Sequence, residues 1–215
     1  MPGAPLTAKR VIDVGVAGIG LVLSSPVVAV AALAIWIESR GPAFYASTRV
    51  GRGGRPFRMY KLRTMVVGAD RMGLAVTAGD DRRITRVGRL LRRTKLDELP
   101  QLLNVLWGEM SLVGPRPEHP DFVRLYDDRQ RRVLTVRPGM TSAASVRFHD
   151  EEEQLRRGEV EADYVKRVMP AKLEIDLRYV ESAGIGEDLQ ILGQTVLVVL
   201  RKLLPSARGR SAKRG

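Results

Sequence analysis

"VIDVGVAGIGLVLSSPVVAVAALAIWI", Val11 to Ile37, decides how the rest of the chain is arranged. Twenty-six of its 27 residues are uncharged. A bilayer crossing takes about 20 apolar residues, so the run is long enough to span. A cleaved leader fits poorly, because no small-residue site followed by a polar start stands out. Ser24, Ser25 and Pro26 interrupt the run near its middle. They leave arms of about 13 and about 11 residues, each too short to span alone. Proline removes a backbone donor and clashes with the preceding turn, so a helix bends there. A serine hydroxyl can serve the carbonyl left over. Two readings follow. The helix spans with a bend, which the residues alone put first, or it is a helix–break–helix that enters and leaves by one face, broken at Ser25 and Pro26. Lys9, Arg10 and Arg40 make both flanks basic, so the positive-inside rule does not choose between them. The basic charge of everything downstream weighs against translocating it.

The chain has 215 residues and a net charge of +12, with 44% hydrophobic residues. That is one ordinary domain with a real core, and its surface attracts polyanions: nucleic acid, anionic lipid or phosphorylated substrates. Aromatics are 5%, thin for stacking single-stranded nucleic acid. No cysteine is present, which excludes a disulfide scaffold, a thiolate metal site and a cysteine nucleophile. Two histidines, His119 and His149, argue against a histidine-rich metal cluster.

Downstream of the apolar run, Gly41 to Met65 reads "GPAFYASTRVGRGGRPFRMYKLRTM". Two β-prone stretches flank a Gly53-Gly54 turn, which predicts a hairpin. In an extended strand Lys61 and Arg63 point to one face. Two cations aimed one way can clamp a pyrophosphate, or can simply be a solvated basic edge. Val66 to Gly79 reads as loop. From Asp80, Ile84, Val87, Leu90 and Leu91 recur at helical spacing among arginines, a basic amphipathic pattern suited to a membrane surface or a polyanion.

Arg82 to Lys95 carries seven cationic side chains and no acidic one, and then Asp97 and Glu98 arrive side by side. One account is helix-end chemistry: a capping box with Thr94 as N-cap and Asp97 three residues on, or an Arg93–Asp97 pair. The other is a reaction centre. Leu96, Leu99, Leu103, Leu106 and Met110 continue an apolar stripe, while Asp97, Gln101 and Asn104 share another face. "SLVGPRPEHP", Ser111 to Pro120, is a proline-fixed turn presenting Arg116, suited to bidentate phosphate recognition. Asp163 to Val180 reads as a helix carrying Asp176, and Gly186 to Leu204 as an amphipathic-to-apolar helix. No internal repeat is visible.

Taken together, "KRVIDV", the Ser25-Pro26 break, "GPAFYASTRVG", "YKLRTM", "RRITRVGRLLRRTKLDELPQLLNVLWGEMSLVGPRP" and "VRPGMT" resemble the bacterial sugar transferase family, the monotopic polyprenol-phosphate phosphoglycosyl transferases. The resemblance covers about Lys9 to Leu204. It implies transfer of a sugar phosphate from a UDP-sugar to a polyprenol (undecaprenyl) phosphate, giving a polyprenol-diphosphate sugar and UMP. It implies Asp97 as covalent nucleophile, Glu98 as ligand of Mg2+, and substrate-binding roles at Lys61, Arg92, Arg116 and Asp176. It also reverses the order of the two membrane readings and puts the re-entrant helix first. The chain then sits on the bacterial inner (cytoplasmic) membrane, with its catalytic body on the cytoplasmic face.

One stretch departs from the family pattern. After "PGMT" a glycine and a "GLAQVNGR"-like segment are usual; here "SAASVRFHDEEE" stands, with Ser142 for the glycine. His149 falls where many members have an arginine near the phosphates, and Arg147 is the nearest substitute. The expected fold class is α+β and mainly helical: a re-entrant membrane helix over 1–40, a catalytic body over 41–204 with one small β-hairpin and interfacial amphipathic helices, and a disordered basic tail over 205–215. Anionic lipids are expected partners, nucleic acid is not, and a homo-oligomer stays open. The resemblance implies the minimal catalytic form, and extra N-terminal helices like those of long relatives are not expected. The rivals are a membrane-anchored nucleic-acid-binding protein and a structural membrane protein without turnover.

Overall fold

The computed structural model describes residues 6–72, 81–149 and 160–203. The expected tail, most of the loop before Asp81 and the acidic run at Glu151–Glu153 lie outside the described residues. The helices are α1 (Leu6–Ser39), α2 (Arg86–Thr94), α3 (Gln101–Trp107), α4 (Pro120–Val123), α5 (Ala143–Arg147), α6 (Val160–Asp163), α7 (Met169–Ser182) and α8 (Ile185–Leu203). The strands are β1 (Phe44–Val50), β2 (Pro56–Leu62), β3 (Ser111–Val113) and β4 (Gly139–Thr141). The expected α+β, mainly helical class holds.

β1 and β2 form the expected antiparallel hairpin, from Phe44 opposite Leu62 to Val50 opposite Pro56. Its turn uses Gly53 and Gly54 at φ of 69° and 76°, a left-handed region that glycine enters without a Cβ clash. The parallel pair β3–β4 was not foreseen. Three-residue strands carry too little alternation to be read from a sequence.

α1 is one α-helix through Pro26, not two arms separated by a break. The Pro26 ring has no amide for the Val22 carbonyl, and the Ser25 hydroxyl donates to that carbonyl instead, at 2.8 Å. One narrow stripe of α1 faces the body: Asp13, Ala17, Ala31 and Ile35 are buried along it. The stripe continues on both sides of the proline. Near the N-terminal end Lys9 reaches Asp188 and Tyr179, and Asp13 accepts from the Leu112 amide. Near the C-terminal end Glu38 accepts from the amides of Arg86 and Val87. The other faces are bare: Val11, Ile19, Val22, Leu23, Val30 and Ile37 are all more than half exposed. A contiguous apolar patch of this length is far beyond what soluble monomers leave uncovered. Within Ala8–Ser39 the apolar window is 11% buried, and the helix is long and apolar enough to cross a membrane.

Two corrections concern the cationic segments. Helix α2 begins only at Arg86, capped by Thr85, whose Oγ1 accepts from the Gly88 amide at 2.9 Å. Ile84 lies before it, in a bridge with Met65. β2 ends at Leu62, so Arg63 does not share a strand face with Lys61. The Arg63 guanidinium turns to α1, where Nη2 donates to Ser39 Oγ at 2.9 Å and to the Arg40 carbonyl at 3.0 Å. Helix carbonyls that lack an intrahelical partner draw a buried cation there.

α2 can lie against the end of β2 because Gly88 has no side chain. A Cβ there would stand 1.9 Å from the Thr64 carbonyl oxygen. Near the C-terminal body, a π-helical widening over Tyr164–Val168 precedes Pro170, whose missing amide cannot continue the helical ladder.

Candidate active site

Asp97 and Glu98 sit on one 3-10 turn, Leu96–Glu98, between α2 and α3. α2 stops because Lys95 takes a left-handed conformation at φ 60°. The chain then returns to helical geometry through Leu99 and Pro100, so Asp97, Gln101 and Asn104 stay on one side. All three are buried.

The capping reading of this stretch does not fit the geometry. Thr94 is the last residue of α2, and its hydroxyl donates to the carbonyls of Leu90 and Leu91 at 2.9 and 3.1 Å. Arg93 donates to the Lys202 carbonyl. Asp97 is 6% exposed, and its Oδ1 has no hydrogen-bond partner. Burial first, and then the Glu98 charge, push its carboxyl above the usual range, against the pull of Lys61, Lys95 and Arg92.

Glu98 is treated in the opposite way. Burial alone would raise its pKa. Arg116, Lys95 and Lys61 outweigh that and hold it well below the carboxylate range. Arg116 grips it bidentately, Nη2 to Oε1 at 2.7 Å and Nη1 to Oε2 at 3.2 Å. Lys95 Nζ lies 3.6 Å and Lys61 Nζ 4.0 Å from Oε1. Burial pushes the Lys61 ammonium down to about 8, with Glu98 opposing. Arg92 donates to Thr64 Oγ1 at 2.9 Å and its charge acts on Asp97. The turn after β3 aims Arg116, which also donates to the Met140 carbonyl at 3.1 Å and so ties the site to β4.

Asp176 reaches the edge of this cluster from α7. Burial pushes its carboxyl up to about 7, offset by Ser142, Lys172 and the amides of Ala144 and Arg116. Its Oδ1 has no hydrogen-bond partner. Arg116, Glu118, Tyr126, Tyr164, Lys172 and Asp176 enclose a cavity of about 10 Å³, room for one water.

Of the residues singled out from the sequence, Lys61, Arg92, Asp97, Glu98, Arg116 and Asp176 come together. Arg63 does not. Arg147 and His149 are exposed at the end of α5 and beyond, and neither is among the leading charges acting on Asp97 or Glu98. His149 Nδ1 lies 3.1 Å from the Val146 carbonyl, and its own carbonyl accepts from Lys202 at 2.6 Å.

Three contributors escaped the sequence reading: Lys95, Arg49 on β1 and Glu118. Arg49 acts electrostatically on Lys61, and Glu118 on Arg49 and Arg116. Lys95 was counted only as part of the basic run, and Glu118 stands two residues from Arg116, a spacing that could have flagged it.

The donor set fits a single Mg2+ rather than a transition metal. Asp97 Oδ1 lacks a partner, and each oxygen of Glu98 keeps a lone pair beyond its arginine bond. Among the described residues no group of three or more His, Asp and Glu converges. One or two carboxylates completed by substrate oxygens and water is the usual magnesium arrangement.

The family described as bacterial sugar transferase matches residues 4–202. The chain belongs to that family. It is 41% identical over 204 residues to a Caulobacter vibrioides protein named UDP-glucose:undecaprenyl-phosphate glucose-1-phosphate transferase, covering 91% of this chain and 73% of the relative. It is 48% identical over 123 residues to a Bacillus subtilis protein whose name assigns it, provisionally, undecaprenyl-phosphate N-acetylgalactosaminyl 1-phosphate transfer, covering 57% and 69%. An Aeromonas hydrophila UDP-N-acetylgalactosamine-undecaprenyl-phosphate N-acetylgalactosaminephosphotransferase is 36% identical over 195 residues. The match covers 89% of this chain but 43% of that relative. The three names share undecaprenyl phosphate; two name N-acetylgalactosamine and one names glucose.

Proposed function

We propose that this chain is a phosphoglycosyl transferase that moves a sugar 1-phosphate from a UDP-sugar to undecaprenyl phosphate and releases UMP. The observation that carries the reading is the Asp97–Glu98 turn. One carboxylate is buried, bare and made more basic; its neighbour is locked ionised by three cations.

The two environments suit two roles. Asp97 Oδ attacks the phosphorus attached to the sugar. The bond from that phosphorus to the bridging oxygen breaks, and UMP leaves with the oxygen and its electron pair. An aspartyl phospho-sugar remains. An oxygen of undecaprenyl phosphate then attacks the same phosphorus, and the Asp97 carboxylate leaves as it entered. Raised basicity makes a carboxylate a better nucleophile, and the cations around it neutralise the dianionic donor. Arg116 and Lys61 lie against Glu98, where they would meet the incoming phosphates. Glu98, with Asp97 beside it, would hold Mg2+, which when bound neutralises charge on the diphosphate. Asp176 braces the turn that carries Arg116.

The membrane arrangement follows from α1. Both of its ends dock on the same body, at Asp188 and at the start of α2. A helix held so at each end supports a monotopic arrangement, with its bare apolar sides sunk into one face of the bilayer. Exposed Val196, Leu197 and Leu200 on α8 add a second apolar strip for the interface. We place the body on the cytoplasmic face of the bacterial inner membrane, where UDP-sugars are available.

The deciding experiment offers UDP-glucose and UDP-N-acetylgalactosamine with Mg2+ before any undecaprenyl phosphate. UMP should appear in a burst near one per chain. If UMP forms only once both substrates are present, direct transfer with Asp97 as a base replaces the covalent route. If no UMP forms under either condition, the transferase reading is lost.

A further inference from the structure

Asn104 lies on α3, two turns beyond Asp97, and is 0% exposed. No group in the proposed reaction uses it, yet its side chain is fully engaged. Oδ1 accepts from the Tyr60 amide at 3.1 Å. Nδ2 donates to the Arg58 carbonyl at 2.7 Å and to Glu109 Oε2 at 2.7 Å. These partners are not scattered. Arg58 and Tyr60 are on β2, whose other edge is paired with β1. Asn104 therefore supplies to the open edge of β2 the donor and acceptor that a third strand would supply.

The consequence falls on the next residue. Lys61 follows Tyr60 directly, and its Nζ stands 4.0 Å from Glu98. Glu98 and Asn104 belong to one nearly continuous helical segment. The backbone that carries Lys61 is thus fastened to the same rigid piece that carries the carboxylates, six residues along. The main chain of Asn104 adds to this: its carbonyl accepts from the amides of Glu109 and Met110 at 3.0 and 3.2 Å, closing the end of α3.

The geometry points to Asn104 as the positioning residue that sets the reach of Lys61 to the Asp97–Glu98 pair. Gln101, one turn nearer the pair, cannot do this work: its amide is buried with neither atom hydrogen-bonded. The inference rests on the transferase reading, and its test separates the two.

The test is pre-steady-state UMP release by the full chain in detergent, with UDP-glucose or UDP-N-acetylgalactosamine, whichever the unmutated chain turns over. Asn104→Ala keeps the burst amplitude near one per chain and slows its rate constant about 10- to 100-fold, the scale of an ångström of misplacement. On a Lys61→Ala background the same substitution costs less than about twofold, because a residue acting through Lys61 has nothing left to position. A residue that only holds the fold together would show the reverse: a reduced amplitude, an unchanged rate constant, and the same loss on both backgrounds. That result overturns the assignment. Should Asn104→Ala fail to fold, Asn104→Asp keeps the acceptor for the Tyr60 amide and loses the donor to the Arg58 carbonyl. It should fall between the unmutated chain and a fully released strand, and an unmutated rate constant in folded Asn104→Asp overturns the assignment equally. If the unmutated chain forms no UMP with either donor, with or without undecaprenyl phosphate, the transferase reading is lost and the positioning role with it.

Discussion

Among the described residues, the charged cluster at the N-terminal end of α1 and the one around Asp97 and Glu98 are built to opposite rules. At the N-terminal end of α1, Lys9 donates to Asp188, to Tyr179 Oη at 3.1 Å and to the Val113 carbonyl at 3.1 Å. Tyr179 completes the set by donating to Asp188 Oδ1 at 2.6 Å. One cation meets one anion, and each oxygen of Asp188 has a donor. Around Asp97 and Glu98, two carboxylates face Lys61, Arg92, Lys95 and Arg116, and Asp97 Oδ1 has no donor at all. The first cluster is closed and can only hold α1 to the body. The second carries surplus positive charge, which invites an anion, and a bare carboxylate oxygen, which invites a cation or an electrophile. An unpaired buried polar atom costs roughly 1–3 kcal/mol, and at Asp97 that cost is borne beside four cations.

Substitution should separate the clusters most sharply at Asp97. Asp97→Asn keeps size and shape and removes the proposed nucleophile. UMP production should fall about 10³-fold or more in a protein that stays folded. Near-native turnover would return Asp97 to a structural role. Glu98→Gln should lose about 10²-fold, from the loss of charge beside the phosphates.

The same pair should respond to pH with opposite signs, followed by thermal unfolding in detergent with chelator present. Asp97 has a raised native pKa, so its favourable contribution is complete below its unfolded value near 3.8 and is lost as pH rises through the native value. At neutral pH it destabilises, and Asp97→Asn should raise Tm there with no gain at low pH. Glu98 has a depressed native pKa, so its contribution is present above the unfolded value near 4.5 and is lost as pH falls below it. Glu98→Gln should therefore lower Tm at neutral pH. Shifts of the same sign would break the contrast between the two.

The closed cluster should show the converse pattern. Asp188→Asn should cost about 1–3 kcal/mol of stability, since it leaves Lys9 without its charge partner, while UMP release per folded chain stays native. The smallest effect on turnover is expected at Arg63. Arg63→Leu should change the rate less than about twofold while lowering Tm, because its partners are the last carbonyls of α1. A large loss of rate with an unchanged Tm would restore Arg63 to the phosphate site.

These residues also show what could be read in advance. The hairpin was legible because Gly53-Gly54 sits between two β-prone runs, and local turn chemistry needs no partner. The place of the acidic pair after seven cations raised the question of a reaction centre, and the resemblance of the surrounding block to the sugar transferase family answered it. Arg63 misled because alternation holds only while a strand lasts, and β2 stops one residue earlier. Thr94 misled because a capping box and a helix end followed by a 3-10 turn share a sequence pattern. Only the left-handed Lys95 tells them apart.

By itself the sequence determined the apolar N-terminal helix, the mainly helical body, and a run of seven cations ahead of Asp97 and Glu98. Those follow from composition, period and spacing, which are local properties. Tertiary structure alone decided that α1 runs unbroken through Pro26 and is held to the body at both ends. It also decided that Asp97 is left without a donor while Glu98 receives three cations, and that Asn104 closes the open edge of β2. Each of those depends on which groups from distant segments meet in a space shielded from water, and that is set by packing rather than by neighbours in the chain.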